Sequence, residues 1–297
     1  MFKWTKKKNI AQLKELQLAL HIIKKGPLTL TGVIILLLLI FAAILAPYIA
    51  PYPQDALGAV SPENKFEQPS RGHLFGTDEL GRDIFSRVLF GTRISLKIAI
   101  IVVTLAILIG FPIGAIGGFL GGKIDELTMR LADIFLSFPP ILLAVFICLV
   151  LGPSIDNVMI AIAVSWWPWY TRLAHGQAVS IRERPYIEAA KSVGISKTKV
   201  IFRHVMPNSL TPVLVQATMD LGSVILTASA LSFLGLGAQP PQPEWGLMAY
   251  IGHGYLFTSW WCSTFPGLAI FVTVLAFNLA GDGLRDILDP RTRRLLR

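Results

Sequence analysis

Charged residues are scarce in this chain of 297 residues. They form 15% of the sequence, whereas hydrophobic residues form 53% and the mean hydropathy is +0.60. Ordinary soluble domains carry about 25% charged residues, so this composition excludes a soluble globular protein and indicates an integral membrane protein. A net charge of +9 would suggest nucleic acid in a soluble protein. Membrane topology explains the excess of bases better, and we expect no nucleic acid among the partners.

Residues with the spacing of a catalytic or metal site are also lacking. The two cysteines, Cys148 and Cys262, cannot build a disulfide framework or a cysteine metal site. The five histidines include no HExxH pattern, and neither a GxxxxGK[ST] phosphate loop nor a GxSxG serine motif occurs. We therefore predict a chain without catalytic residues, metal or bound cofactor. If the protein uses ATP, another chain must bind it.

Long apolar runs are what the sequence does contain. Six runs approach the roughly 20 residues that span a bilayer, and they cover residues 28–50, 94–117, 131–151, 158–173, 210–235 and 265–280. Pro139 and Pro140 interrupt the third run. The fourth is short and contains WWPWY at 166–170, which is typical of an aromatic belt at the membrane interface rather than of a ligand-stacking site. The pattern predicts an all-α integral membrane protein with six transmembrane helices.

The lysines and arginines are unevenly divided between the links. Twenty-one of the 27 lie in the two tails, in the link between the second and third runs, and in the link between the fourth and fifth. Because such residues mark cytoplasmic segments, we expect both termini and these two links in the cytoplasm. The predicted organisation is a cytoplasmic tail (1–27), a first helix (28–50), an extracytoplasmic loop (51–93), a core of five helices (94–284) and a second cytoplasmic tail (285–297). Five bases in the extracytoplasmic loop count against this orientation.

Two amphipathic stretches flank the first run. In the N-terminal tail, apolar residues recur at helical spacing between lysines, and they are Ile10, Leu13, Leu16, Leu20 and Ile23. This period favours an amphipathic helix on the cytoplasmic surface over a disordered basic tail. After an irregular proline-rich part of the loop, residues 76–96 are predicted to form a short amphipathic helix that leads into the second span.

Two features inside the spans each have two interpretations. Gly110, Gly114, Gly118 and Gly122 recur every fourth residue and predict a bare helical face that another helix can approach closely. That face serves either packing within the chain or an interface at a subunit or pore. Asp220 lies deep in the fifth run, where a carboxylate faces either the polar cavity of a translocation path or an interhelical hydrogen bond.

The basic link at residues 182–208 has the pattern of two short helices. Pro185 suits the first turn of a helix, and Gly194 suits the residue that ends one. Ser196 suits the cap of a second helix, which Pro207 is expected to end. Paired caps indicate a folded unit rather than a loose connection.

The first of these helices has a small apolar face. The face consists of Tyr186, Ala189, Ala190 and Val193. Glu188 and Lys191 lie elsewhere on the helix, one turn apart and within pairing reach. Because small side chains let a partner come close, we predict a cytoplasmic docking surface rather than a solvated connector.

The same segment resembles a known motif. EAAKSVG, then nine residues, then HVMP is similar to the EAA motif of type I ABC importer permeases, with matches at Glu188, Ala189, Ala190, Gly194 and Pro207. His204 and Met206 stand where the general motif has isoleucine and leucine, and this variation resembles the peptide-permease branch. Three further segments resemble the C-type permease subunit of dipeptide and oligopeptide importers: FGTDELGRDIFSR (75–87), LSFLGLGAQPPQPEWG (231–246) and GDGLRDILDPR (281–291).

This resemblance covers almost the whole chain and implies the type I ABC importer permease fold. It implies a complex with a second, different permease, two ATP-binding subunits that hold ATP and Mg, and an extracytoplasmic substrate-binding protein. It also implies a bacterial or archaeal cytoplasmic membrane and alternating access driven by ATP. The residues expected to couple this chain to the ATPase subunits are Tyr186, Glu188, Ala189, Ala190, Gly194, His204 and Pro207.

Three other functions stay open. The same branch includes importers of nickel, glutathione and oligosaccharides. An intramembrane enzyme would use Asp220 with Asp133, a pair that has no recognised motif spacing. A purely structural membrane anchor would have no role in transport.

Overall fold

A computed structural model describes residues 26–288 of the chain. Within them the chain is helical, with no strand beyond one isolated bridge between Thr77 and Asp83. The helices are α1 (Pro27–Ile49), α2 (Pro53–Ala56), α3 (Ile84–Leu120), α4 (Gly122–Leu136), α5 (Pro140–Leu151), α6 (Ile155–Arg182), α7 (Pro185–Ser192), α8 (Lys197–Val200), α9 (Met206–Phe233), α10 (Trp245–His253) and α11 (Trp261–Leu288). The amphipathic helix predicted before the first span lies outside the described residues, as does most of the C-terminal tail.

Several of these helices have the length and composition of membrane spans. Within residues 26–288, four are long and apolar enough: Pro27–Ile49, Ile84–Leu120, the joined Lys197–Phe233, and Trp261–Ile287. α4 and α5 together form a fifth candidate, bent by 81°. The fourth predicted span lies in α6, which has 28 residues but carries polar side chains such as Arg172 and His175. The all-α membrane architecture is confirmed, whereas the count of six spans is not reproduced exactly.

The predicted third span, residues 131–151, is broken at the two prolines that interrupt its apolar run. α4 ends at Leu136, and α5 begins at Pro140 after the bend. Pro139 and Pro140 have no backbone N–H, and each proline disfavours helical conformation in the residue before it. The chain therefore turns at residues 137–139 instead of continuing the helix.

A separate amphipathic helix at residues 76–96 is not formed either. Residues 76–83 are irregular, and α3 then runs for 37 residues into the second span. The Asp83 side chain caps α3 by accepting a hydrogen bond from the Ser86 N–H at 2.7 Å. Because no proline follows before Pro112, one long helix replaces the two that the sequence suggested.

Three of the four spaced glycines pack α3 against α6. A Cβ atom built on Gly114 would lie 2.1 Å from the Thr171 carbonyl oxygen, and Gly110 and Gly118 meet the α6 backbone in the same way. The Thr171 hydroxyl also donates to the Gly110 carbonyl at 3.1 Å. These glycines therefore serve packing within the chain. Gly122 does not belong with them: α3 has ended before it, its φ is +60°, and a Cβ there meets nothing within 4 Å.

The loop at residues 51–93 buries a network of charges. Arg82 pairs with Asp78 at 2.8 Å, and Arg87 Nε lies 3.6 Å from the same carboxylate. His73 Nδ1 contacts Asp83 Oδ1 at 2.9 Å. All five residues are buried. Five bases in this loop counted against the predicted orientation. Two of them, Arg82 and Arg87, are buried beside the Asp78 carboxylate and are not free loop charges.

Two tryptophans hold this loop against a distant part of the chain. Trp245 Nε1 donates to the Val88 carbonyl at 3.0 Å, and Trp261 Nε1 donates to the Thr77 carbonyl at 3.1 Å. Both tryptophans are buried. The partners are 157 and 184 residues apart in sequence, so the loop and the α10–α11 region form one packed unit.

Glu244→Gln is expected to destabilise this unit by about 1–3 kcal/mol. The two oxygens of the buried Glu244 cap α10 by accepting from the N–H groups of Gly246 at 3.0 Å and Leu247 at 2.9 Å. Burial raises the pKa of this carboxyl above its ordinary value. Glutamine offers a single acceptor oxygen, so one of the two N–H groups loses its partner.

Thermal unfolding of the purified protein measures the effect of Glu244→Gln. Glu63→Gln, at an exposed position, is the control and should stay within about 0.5 kcal/mol of the unsubstituted protein. Equal stability of the two variants would contradict the capping role.

Candidate functional site

The segment between α6 and α9 forms the two capped helices that the sequence predicts. Pro185 stands in the first turn of α7, and Gly194 follows the helix with a φ of +80°, in the left-handed region that favours glycine. The Ser196 hydroxyl accepts the Lys199 N–H at 3.4 Å and caps α8. These local predictions are confirmed.

α7 has one buried side and one exposed apolar side. Ile187 is fully buried in a cluster that includes Phe119 of α3, Ala178 and Ile181 of α6, and Val200, Ile201 and Val205. Tyr186, Ala189 and Val193 point away from the cluster, and Val193 is 82% exposed. The predicted apolar face needs one correction, because Ala190 is half-buried against the cluster. The exposed apolar surface is therefore Tyr186, Ala189 and Val193, hereafter the coupling face.

Two further predictions for this segment are wrong. Pro207 does not end the second helix: a π-helical turn at Ile201–Val205 carries the chain from α8 into α9, and Pro207 occupies the first turn of α9. Because the helix is continuous through this turn, Pro207 lies beside a π-helical turn rather than at a free helix end. The expected pairing of Glu188 with Lys191 is replaced, since Lys191 Nζ lies 5.5 Å from the centre of the Phe119 ring.

Glu188 and His204 lie beside the coupling face. Glu188 is exposed and forms no ion pair with any residue in the described range. His204 is half-buried, and its ring centre lies 6.3 Å from that of Tyr186. α7 thus presents a small apolar surface with a free carboxylate next to it, on a helix that is fixed to α3 and α6 from behind.

Asp220 belongs to a cavity between α6 and α9. Its Oδ2 accepts a hydrogen bond from the Tyr170 hydroxyl at 2.7 Å, and its Oδ1 accepts one from Gln216 Nε2 at 2.9 Å. It also lines a cavity of about 640 Å³ together with Trp166 and Trp169. The interhelical hydrogen bond is therefore present, and the same carboxylate also faces the cavity.

The aromatic run on α6 is divided between two environments. Trp167 and Tyr170 are buried in the protein, whereas Trp166 and Trp169 line the cavity. The predicted interfacial belt at 166–170 is wrong for Trp167 and Tyr170, which are buried, since successive side chains on a helix point in different directions.

Asp133 and Asp220 have separate partners. Asp133 of α4 pairs with Arg172 of α6, and Asp125 of α4 contacts His175 of α6 at 2.6 Å. No local pattern predicts either contact, because the partners are 39 and 50 residues apart. This arrangement does not join Asp133 and Asp220 into the carboxylate pair that an intramembrane enzyme would need.

Comparison with known proteins finds relatives over most of the chain. Residues 110–294 match the family described as "Binding-protein-dependent transport system inner membrane component", and residues 15–69 match the "N-terminal TM domain of oligopeptide transport permease C". The chain is 45% identical over 269 residues to the probable D,D-dipeptide transport system permease protein DdpC of Escherichia coli (strain K12), which covers 91% of this chain and 89% of that protein.

Two other relatives have different names. The dipeptide transport system permease protein DppC of Alkalihalophilus pseudofirmus is 45% identical over 271 residues, or 91% of this chain and 88% of the relative. The glutathione transport system permease protein GsiD of Pectobacterium atrosepticum is 44% identical over 257 residues, or 86% and 85%.

A solved structure shares the fold. A chain of the inward-facing MetNI methionine ABC transporter superposes with a TM-score of 0.56 over 69% of this chain and 98% of that chain, at 18% identity. The match to the family profile covers more than half of the sequence. The chain therefore belongs to the family of inner membrane components of binding-protein-dependent transport systems.

Proposed function

We propose that this chain is a permease subunit of an ATP-driven importer of dipeptides or oligopeptides and forms half of its translocation pathway. The names of the relatives at 45% identity support the peptide substrate. The observation that carries the proposal is the coupling face, an exposed apolar surface on a short helix whose other side is fixed to α3 and α6. Such a surface suits a partner that must move this chain.

The chain works with partners that bind ATP. As an importer permease it needs ATPase subunits and a binding protein. The complete complex is proposed to contain one different permease, two ATP-binding subunits and one extracytoplasmic binding protein. ATP and Mg are bound by the ATPase subunits, which hydrolyse the ATP, so this chain is not an enzyme. The residues proposed to mediate coupling are Tyr186, Glu188, Ala189, Ala190, Gly194, His204 and Pro207, with the correction that Ala190 supports the face from behind.

Coupling follows from how the segment is attached. α7 contacts α3 and α6 through Ile187, and α8 continues through the π-helical turn into α9. A displacement of the coupling face is therefore transmitted to α3, α6 and α9. For ATP to drive transport, the nucleotide state of the partner must favour one arrangement of these helices over the other.

Transport by the reconstituted complex tests the proposal. The chain is assembled in proteoliposomes with its partner permease, ATPase subunits and binding protein, and uptake of a radiolabelled dipeptide is measured with and without ATP. ATP-dependent dipeptide uptake is expected. Uptake of glutathione but not of dipeptides would favour the second candidate, which the 44% identity to a glutathione permease supports. ATP hydrolysis by this chain alone would contradict the assignment of ATP to the partners.

Both termini are proposed to lie on the cytoplasmic side of a bacterial or archaeal inner membrane, which the distribution of bases supports. Single cysteines introduced at Ser180 and Gln242, which are both exposed, should react with an impermeant reagent from opposite sides. The native Cys148 and Cys262 are buried and provide the background. Labelling of both positions from the same side would contradict the proposed orientation.

A further inference from the structure

The cavity between α6 and α9 is lined by charges of opposite sign. Its walls include the Asp220 carboxylate, the Arg172 guanidinium, and the rings of Trp166 and Trp169. The volume of about 640 Å³ lies within the range of about 300–1,000 Å³ that is typical of small-molecule sites. A site with one acidic group, one basic group and aromatic walls matches a small zwitterion that carries apolar side chains.

Asp220 has hydrogen bonds but no counter-charge. Tyr170 and Gln216 donate one neutral hydrogen bond to each oxygen. A carboxylate has about four acceptor positions, so about two remain for a ligand. Asp220 forms no ion pair with any residue between 26 and 288, although it is only 9% exposed. A cationic ligand would supply the positive counter-charge that this buried carboxylate lacks.

Arg172 has a partner that a ligand can replace. It pairs with Asp133 of α4, and both side chains are about half exposed, at 52% and 55%. An exposed ion pair contributes little stability, so an incoming carboxylate can compete with Asp133 for the guanidinium. Arginine is also the side chain best suited to bind a carboxylate through two parallel hydrogen bonds.

From these observations we infer that the cavity is a transit site for short peptides with free ends, in which Asp220 binds the α-ammonium group and Arg172 binds the α-carboxylate. Asp133 acts as an intramolecular competitor that holds Arg172 while the site is empty. This inference rests on the proposed peptide transport and adds to it the chemical feature that the permease itself recognises.

Calorimetric titration of the complex with three matched peptides tests the site. The full complex without its binding protein is placed in lipid nanodiscs and titrated with alanyl-phenylalanine, with its N-acetyl form and with its C-amide form. The free dipeptide is expected to bind about tenfold or more tightly than either blocked form, because each block removes one charge-assisted hydrogen bond. Equal affinities, or no binding of the free dipeptide, would overturn the inference.

Four variants separate recognition from a structural role. Asp220→Asn should abolish the preference for the free amino group, while Tyr170→Phe, which removes the same hydrogen bond without changing the charge, should keep it. Arg172→Gln should abolish the preference for the free carboxylate. Asp133→Asn should instead increase affinity for the free dipeptide but not for the amide, because Arg172 loses its competitor.

The outcomes distinguish the two proposals. Identical behaviour of Asp220→Asn and Tyr170→Phe, or a loss of affinity in both Arg172→Gln and Asp133→Asn, indicates a merely structural role and overturns the inference. If the Asp220→Asn variant does not assemble, the variants at the two half-exposed positions, Arg172 and Asp133, still test the transit site. ATP-driven dipeptide uptake by the wild-type complex together with equal peptide affinities overturns only the transit site. Absence of such uptake overturns the proposed function.

Discussion

Dipeptide uptake should fall about tenfold or more when Ala189 is replaced by tryptophan, while the permease still folds. Ala189 is exposed at the centre of the coupling face, between Tyr186 and Val193. A bulky ring there keeps an opposing surface from closing on α7, and a tenfold loss corresponds to about 1.4 kcal/mol of docking free energy. Because the site is exposed, the stability of the permease itself should change by less than about 0.5 kcal/mol.

The matched control for this substitution is Ala189→Ser. Serine is almost as small as alanine, so uptake should stay close to the wild-type rate. ATP hydrolysis by the assembled complex is measured in parallel, and the tryptophan variant is expected either to lose its ATPase subunits or to hydrolyse ATP without transport. Wild-type uptake in the tryptophan variant would mean that the coupling face touches no partner.

Gly114→Ala is expected to destabilise the permease by more than about 2 kcal/mol. A methyl group at this position would lie 2.1 Å from the Thr171 carbonyl oxygen and 2.8 Å from its carbon, both in the backbone of α6. Backbone atoms cannot move aside as a flexible side chain does, so α3 and α6 must separate along their whole contact. The yield of folded protein and its thermal unfolding temperature in detergent report the loss.

Gly176→Ala is the control for Gly114→Ala because it adds the same methyl group within a helix. A Cβ at Gly176, on α6, meets nothing within 4 Å. Alanine favours the helix over glycine by about 0.5–1 kcal/mol, so this variant should be as stable as the unsubstituted protein or slightly more so. Equal stability of the two variants would show that the α3–α6 contact tolerates a methyl group at Gly114.

Local features were readable from the sequence, as Gly194 and Ser196 illustrate. The left-handed conformation of Gly194 and the cap by Ser196 depend on the residue itself and on neighbours within one turn. The prediction that Pro207 ends a helix is wrong, and Pro112, Pro168 and Pro212 likewise lie inside α3, α6 and α9 without ending them. The π-helical turn before it places Pro207 at the start of α9 instead.

Contacts between residues that are far apart in the sequence could not be predicted from local patterns. Ile187 was not singled out in its polar link from the sequence, yet it is fully buried in a cluster with Phe119. Arg87 donates to the Pro241 carbonyl across 154 residues, and no local pattern marks such a partner. The sequence indicates Asp220 because a carboxylate in an apolar run costs free energy. That Arg172 lines the same cavity depends on how α6 packs, which no local pattern predicts.

The coupling face on α7 is expected to dock onto the ATPase subunit, and photo-cross-linking at Val193 detects that contact. A benzophenone amino acid at this position, which is 82% exposed, is irradiated in the assembled complex. The same probe at the exposed Phe257, in the link between α10 and α11, is the control. We predict an adduct with the ATPase subunit from Val193 and none from Phe257. No adduct from Val193, or an equal one from Phe257, would show that the coupling face does not dock onto the ATPase subunit.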